Sequence, residues 1–238
     1  MRKPSRLSPG ELAPYQWQAL GEAGYARWGD GPGLDTEHPE KTPLTDPVSP
    51  IVWAELFGNN HPVEIEVGFG KGLYLVNVGT RRPDRNFFGI EIIRKYQMYA
   101  TNRIAVRKLA NVKTCCADAK KVFRESVTSG TVAAVHVYFP DPWWKNRHKK
   151  RLLFTSDFAQ EVLRILQPDG ILYFVSDVPE YFEMVTETLA QVTAFHKLPP
   201  PDESAPQHDM DYLTNFERKF RKVGKPIHRS QYQKVTSA

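Results

Sequence analysis

Val63-Glu64-Ile65-Glu66-Val67-Gly68-Phe69-Gly70-Lys71-Gly72 is the stretch that decides how this chain folds. Five residues of strand character, Val63–Val67, run straight into three glycines at alternate positions. Glycine lets the backbone turn tightly and pass close to a ligand. Beyond this loop the pattern alternates strands and helices. Further strands are predicted at Phe87–Glu91, Val112–Cys116, Val132–Phe139 and Ile171–Ser176. The fourth reads as a continuous apolar run, as expected of a parallel strand buried on both faces. Helices fit near 72–81, 94–109, 118–127, 156–167 and 179–190. In the second of these, Ile93, Ala100 and Ile104 are placed toward the sheet, with Arg94, Arg103 and Arg107 outward. Asp169-Gly170 makes a tight turn into the fifth strand. This order predicts an α/β fold built on a doubly wound parallel sheet.

The flanks read differently. Residues 1–47 are rich in Pro and Gly and form an N-terminal arm, partly irregular, with a short helix expected near Tyr15–Leu20. Ser49 is expected to cap a short helix with Pro50 at its first position, Ile51, Val52, Leu56 and Phe57 on its apolar face, and Gly58 at its end. The principal domain spans 48–238. Within it, prolines 199, 200, 201 and 206 mark a mobile loop near 199–211, residues 214–223 a short basic helix, and Ile227–Val235 a final strand. A chain of 238 residues suits one α/β domain with extensions. Its formal charge of +5 favours a polyanionic partner only if the charge is concentrated. The two cysteines, Cys115 and Cys116, are adjacent, lack metal-ligand spacing and read as free thiols in a reducing cytosol. No apolar run approaches the roughly 20 residues that span a bilayer, and the stretch Met1-Arg2-Lys3-Pro4 lacks the apolar run expected of a signal peptide. The expectation is a cytoplasmic protein with no membrane contact, either monomer or homodimer.

Three cofactor classes compete for the glycine loop. A nucleoside triphosphate loop needs Gly-Lys followed by Ser or Thr, but Lys71 is followed by Gly72. A dinucleotide loop spaces its glycines G-x-G-x-x-G, and here the third comes one place early. The remaining class carries a sulfonium cation and an amino-acid end in place of phosphate. Glu66, beside the loop, suits that cation and would repel a pyrophosphate. Glu91 ends the second strand 19 residues after Gly72, where an acid accepts both ribose hydroxyls. Dehydrogenases share that feature, so it fixes fold more than chemistry. Asp118 follows the third strand, where an adenine edge would lie; its bland alternative is to cap the next helix.

The fourth strand ends in Tyr138-Phe139-Pro140-Asp141-Pro142-Trp143-Trp144-Lys145-Asn146-Arg147-His148-Lys149-Lys150-Arg151. An acid between two prolines is held on a rigid backbone. In a doubly wound sheet it sits at the carboxyl ends of the strands, where ligands bind. Two tryptophans offer stacking faces for a base. Residues 145–151 then hold five Lys or Arg, a footprint for backbone phosphates in which Arg147, Lys149, Lys150 and Arg151 are the candidate contacts. A charge run alone is usually a solvated face; this one directly follows a constrained acid and an aromatic pair.

With Phe-Pro-Asp-Pro-Trp, Lys and the basic run in view, the sequence resembles the bacterial tRNA (guanine-N7-)-methyltransferases over roughly residues 62–232. The similarity includes the loop at 66–72, Gly-Ile-Glu at 89–91, Ala-Asp-Ala at 117–119, Ser-Asp at 176–177, and Thr214-Asn215-Phe216-Glu217, which matches the family's Thr-x-Phe-Glu element. The 139–151 segment and residues 214–217 are the specific parts, and residues 1–47 match poorly. The resemblance implies a class I methyltransferase, Rossmann-like sheet with an antiparallel final strand. It implies S-adenosyl-L-methionine as cofactor, held at Glu66, Gly68, Gly70, Glu91, Asp118 and Asp141, with Asp141 catalytic. It also implies tRNA as partner, its substrate contacts at Lys145, Asp177, Thr214, Asn215, Phe216 and Glu217, and guanine N7, typically in the variable loop, as target.

Guanine N7 has a free lone pair, so its methylation needs no strong base and no metal; alignment of nucleophile, methyl and sulfur is the main requirement. Asp141 or Asp177 can accept from guanine N1–H and N2–H, a donor pair adenine lacks. Methylation of an exocyclic base amine, in RNA or DNA, is the nearest alternative; such enzymes follow the acid or amide with Pro-Pro and an aromatic, whereas Pro142 is followed by Trp143. An NAD-dependent dehydrogenase would need the other glycine spacing. A non-catalytic RNA-binding protein explains the basic run but not Glu66, Glu91 and the glycine loop together.

Overall fold

The computed structural model describes residues 7–17, 50–142, 152–200 and 214–235. The described strands are β1 (Val63–Val67), β2 (Asn86–Glu91), β3 (Val112–Cys116), β4 (Val132–Tyr138), β5 (Leu166–Ser176), β6 (Phe195–Leu198) and β7 (His228–Lys234). They form one sheet in the order β3-β2-β1-β4-β5-β7-β6. The first five run parallel, and β7 lies antiparallel to both β5 and β6. The helices are α1 (Pro9–Leu12), α2 (Trp53–Phe57), α3 (Leu73–Arg81), α4 (Arg94–Val106), α5 (Ala119–Ser126), α6 (Ser156–Ile165), α7 (Pro179–Ala190) and α8 (Asn215–Lys222). None of them is long and apolar enough to cross a membrane.

Side chains alternate across each strand, and the alternation divides the core in two. Val63, Ile65 and Val67 of β1, Val135 and Val137 of β4, and Leu172 and Phe174 of β5 pack on one face against Phe57, Phe123, Phe158 and Tyr181. On the other face Leu75, Ala100 and Ile104 of α3 and α4 pack with Phe87, Val112 and Tyr138. This second face is also where β1 and β4 carry polar groups. The strand read as continuously apolar is interrupted by His136, whose Nε2 lies 2.9 Å from Glu64 Oε2 and whose Nδ1 lies 2.8 Å from the Tyr138 hydroxyl. Arg82 donates to both Glu64 oxygens at 2.6 and 3.1 Å, and Tyr74 closes on the imidazole at 3.1 Å. A charge is tolerated there because it is fully paired. Burial pushes the Glu64 carboxyl up, but the bonds and charges of His136 and Arg82 outweigh it and hold the group at about 2.

Several local expectations need correction. The short helix before β1 begins at Trp53, not Pro50: Val52 is its extended N-cap, and Ile51 is buried with its amide bonded to the Ser126 carbonyl at 2.8 Å. Gly58 closes it in the left-handed conformation, as expected. In the arm, helix appears at Pro9–Leu12, capped reciprocally by Ser8 and Glu11, and continues as a 3-10 turn at Ala13–Tyr15. Gln16 then bridges to Thr114 at the outer edge of β3, where the Trp17 amide donates to the Thr114 carbonyl at 2.9 Å and Lys113 Nζ to the Pro14 carbonyl at 2.6 Å. Residues 18–20 of the expected helix, and 201–211 of the expected loop, lie outside the described residues. Ile93 is 48% exposed, because it is the extended N-cap of α4 and falls out of helical register. α6 stops at Ile165, and Leu166 already pairs with Val132 in β5. β6 was not anticipated; its four residues, Phe-His-Lys-Leu, carry too little apolar alternation to stand out.

Gly89, in the middle of β2, is the tightest point behind the glycine loop. An added Cβ there would lie 2.5 Å from Leu75 and 2.6 Å from the Phe69 ring. Gly89→Ala is expected to destabilise the fold by about 1–3 kcal/mol through overpacking. Each kcal/mol lost should lower Tm by about 2–4 °C, and a thermal melt that matches wild type would contradict this packing.

Candidate active site at the carboxyl edge of the sheet

The order of the sheet reverses between β1 and β4, so a crevice opens at the carboxyl ends of these strands. Chain geometry delivers four acids to that edge. Glu66 is the penultimate residue of β1, Glu91 the last of β2, Asp141 follows β4 by three residues, and Asp177 follows β5 directly.

The glycine loop connects β1 to α3 with positive φ at Gly68, Gly70 and Gly72. Such angles strain any side chain. Gly72 has a second reason, since a Cβ there would sit 2.6 Å from Ala100 Cβ and wedge α4 away from the loop. Over Gly68 and Gly70 nothing stands within 4 Å of an added Cβ, so the loop presents open backbone. Glu91 holds the loop in place: Oε2 accepts the Gly70 amide at 2.8 Å and Oε1 the Ile93 amide at 2.9 Å. Each oxygen keeps a second lone pair for a ligand hydroxyl. Burial raises the Glu91 carboxyl, those amide bonds oppose the rise, and the neighbouring Asp141 adds to it.

Glu66 is the anomaly of the site. It is 3% exposed, and its Oε2 has no hydrogen-bond partner among the described residues. Burial, then the charge of Glu91, pushes its carboxyl well above the usual range. An unsatisfied buried carboxylate is costly unless a cation completes it. A sulfonium cofactor with a cationic amino-acid end and two ribose hydroxyls meets the needs of Glu66 and Glu91 together, so the residues present fit S-adenosyl-L-methionine.

Asp141 reaches the edge through a strained backbone. Phe139 has φ +52° although it precedes Pro140, a conformation that costs a bulky residue about 1–3 kcal/mol. Its amide donates to the Val175 carbonyl at 2.8 Å, and its ring packs 6.1 Å from Phe216 and 5.7 Å from Phe220 of α8. Partial burial raises the Asp141 carboxyl. Asp118 adopts its bland alternative, capping α5 by accepting the Lys120 amide at 2.9 Å. Thr214 caps α8 by accepting the Glu217 amide at 3.0 Å. Glu217 is buried, with Oε1 shared by Arg229 at 2.8 Å and Arg221 at 3.0 Å. Its Oε1 therefore anchors the helix, and of the 214–217 element it is Phe216, 55% exposed, that faces outward. Asn215 accepts from Arg218 at 3.3 Å. Lys145, Arg147, Lys149, Lys150 and Arg151 lie outside the described residues. Sequence reasoning missed the Glu64–His136–Tyr138–Tyr74 network beneath Glu66; an acid two residues before Glu66 on the same strand face was the available signal.

The fold has solved counterparts. The crystal structure of the aminoglycoside resistance methyltransferase NpmB1 matches with TM-score 0.55 at 16% identity, over 76% of this chain and 91% of that one. A SAM dependent methyltransferase from Aquifex aeolicus matches with TM-score 0.52 at 16% identity, over 76% and 87%. At such identities the likeness speaks for the fold alone, and that fold is the class I methyltransferase sheet with its antiparallel last strand. Residues 60–230 match the family described as "Putative methyltransferase". A tRNA (guanine-N(7)-)-methyltransferase of Rhodopirellula baltica is 43% identical over 209 residues, which are 85% of this chain and 77% of that protein. The chain belongs to this family of tRNA (guanine-N7-)-methyltransferases.

Glu66 sets a pH signature. Its carboxyl ordinarily titrates near 4.5 and is raised in the folded protein, so the native state binds the proton more tightly than the unfolded chain does. The stability from this source is complete below the ordinary value and is lost as pH rises through the folded one. Glu66→Gln removes that titration. Relative to wild type, the variant should gain stability as pH climbs and then level off. Urea midpoints across a pH series check this, and a pH-independent difference would contradict the assignment.

Proposed function

We propose that this enzyme transfers the methyl group of S-adenosyl-L-methionine to N7 of a guanine in the variable loop of tRNA, in the cytoplasm. Family membership supports the reaction and its substrate class. The observation that carries the site assignment is the buried Glu66 oxygen, without a partner among the described residues, beside an open glycine loop clamped by Glu91. When bound, the cofactor supplies an electrophilic methyl on a sulfonium. Glu91 would take the ribose hydroxyls through its remaining lone pairs, and Glu66 would offset the positive charge. Gly68 and Gly70 give the backbone room for close approach. Asp118 keeps one oxygen bonded to its helix and would offer the other to the adenine edge.

Asp141 and Asp177 flank the place where the guanine would stand, between the ends of β4 and β5. As acceptors for N1–H and N2–H they would select guanine and fix N7 toward the methyl, so catalysis rests on alignment. Their carboxylates need not remove a proton, because N7 attacks with its own lone pair. Thr214, Asn215, Phe216 and Glu217 would meet the substrate from the start of α8, with Glu217 Oε1 also holding that helix in position. Lys145 would contact the base, and Arg147, Lys149, Lys150 and Arg151 the phosphate backbone. A pyrophosphate cofactor fits poorly, since it would set phosphate beside the buried Glu66.

Incubation with labelled cofactor and bulk tRNA, followed by mapping of the modified base, tests this reading; label at a base amine instead of N7 would overturn it. Asp141→Ala should reduce turnover to less than about a tenth of wild type while the chain stays folded, since one decade is only about 1.4 kcal/mol. Glu91→Ala should weaken cofactor binding more than tRNA binding, and calorimetry with each ligand separates the two.

A further inference from the structure

The outer face of α4 carries a stripe that the site above does not use. Tyr96, Tyr99, Arg103 and Arg107 follow one another at steps of three, four and four residues, which places them on one side of a helix. Arg107 is the first residue past the helix end and keeps helical angles. Tyr96 and Tyr99 are exposed large side chains, and the Arg103 guanidinium lies 6.0 Å from the centroid of the Tyr99 ring. Arg103 also donates to the Lys71 carbonyl at 2.7 Å, so the stripe abuts the glycine loop. Arg107 donates to the Arg103 carbonyl at 3.1 Å.

The charges in this region crowd each other. The Arg103 guanidinium is pushed down first by burial, and then by two neighbouring cations, Arg107 and Arg218. Arg103 and Arg107 are one helical turn apart, so two guanidinia are held close together beside Lys71. Held cations repel, and a polyanion relieves the repulsion.

We propose that this α4 stripe is a docking surface for the substrate RNA: Arg103 and Arg107 take backbone phosphates, and Tyr96 and Tyr99 stack on unpaired bases of the same strand. The inference rests on tRNA being the substrate, and it adds a footprint distinct from the 145–151 run. The interleaving of planar rings with guanidinia favours a single-stranded or looped nucleic acid, which supplies both π-faces and regularly spaced charge. An acidic protein surface supplies the charge without the stacking partners.

The test uses the full chain and bulk tRNA. Arg107→Ala removes a cation that does not touch the glycine loop, and Tyr96→Ala with Tyr99→Ala removes the rings. Arg103 is left in place because it holds the Lys71 carbonyl. For Arg107→Ala, the slope of log affinity against log salt should fall by about 0.7–0.9 for one lost phosphate contact. For the tyrosine pair, affinity should fall roughly tenfold with the slope retained. Cofactor affinity and thermal melts should match wild type in both. Variants that fold normally and bind tRNA as wild type does, with the same slope, overturn the proposal. Stripe-dependent binding of polyglutamate, with none for tRNA, assigns the surface to an acidic protein and overturns it as well. If wild type shows stripe-dependent tRNA binding but leaves guanine N7 unmodified, the docking surface stands and the proposed reaction falls; N7 methylation with stripe-independent binding gives the reverse.

Discussion

The contact on which this molecule depends is the bond between Glu64 and His136. It crosses from β1 to β4, the two strands between which the sheet reverses its order. That reversal opens the crevice, and the strands on either side must hold their register for Glu66, Glu91 and Asp141 to meet at one level. In that register Glu64 stands opposite Ala134 and Glu66 opposite His136. A slip of one residue would turn every side chain to the other face and expel the acids from the crevice. Arg82 makes the bond tolerable by pairing the carboxylate, and Tyr74 ties the first turn of α3, just past the glycine loop, to the same imidazole.

Around that fixed centre the site holds two unfavourable features in reserve. Among the described residues Glu66 finds no partner for one oxygen, and Phe139 holds a conformation that a residue before proline avoids. Near neutral pH both cost stability, and both are maintained by what surrounds them. The Val175 carbonyl and the two rings of α8 secure Phe139, so the C-terminal helix, itself fastened through Glu217 to Arg229, shares in positioning Asp141. Residues far apart in sequence thus set the geometry of one acid.

The parallel sheet and the acids at its edge were legible because they obey strong rules: alternating strands and helices, a glycine loop that excludes other cofactors by spacing, and an acid at the end of β2. The antiparallel last strand came from resemblance, not periodicity. What escaped had no local signal. Nothing in Val132–Tyr138 announces that His136 is buried against an acid from another strand. Glu217 reads as a polar residue in a motif, and only tertiary structure shows its Oε1 paired with Arg221 and Arg229. Ile93 sits where α4's apolar face should begin, but one extended residue at the N-cap removed it from register. Asp118 shows that a cap and a ligand site look the same in sequence, because both ask for an acid at the start of a helix.

The arm has a consequence for handling and shortening this protein. A strand at the margin of a sheet presents unpaired amides and carbonyls, on which a second molecule can build. On one margin, β6 is four residues long and carries His196 and Lys197, which discourage stacking. On the other, residues 14–17 lie along β3 and take up the Thr114 carbonyl and the Lys113 ammonium. A chain trimmed to residues 60–230, the span that matches the family, would keep the acids at the carboxyl edge and leave that margin bare, so it would trade solubility for brevity.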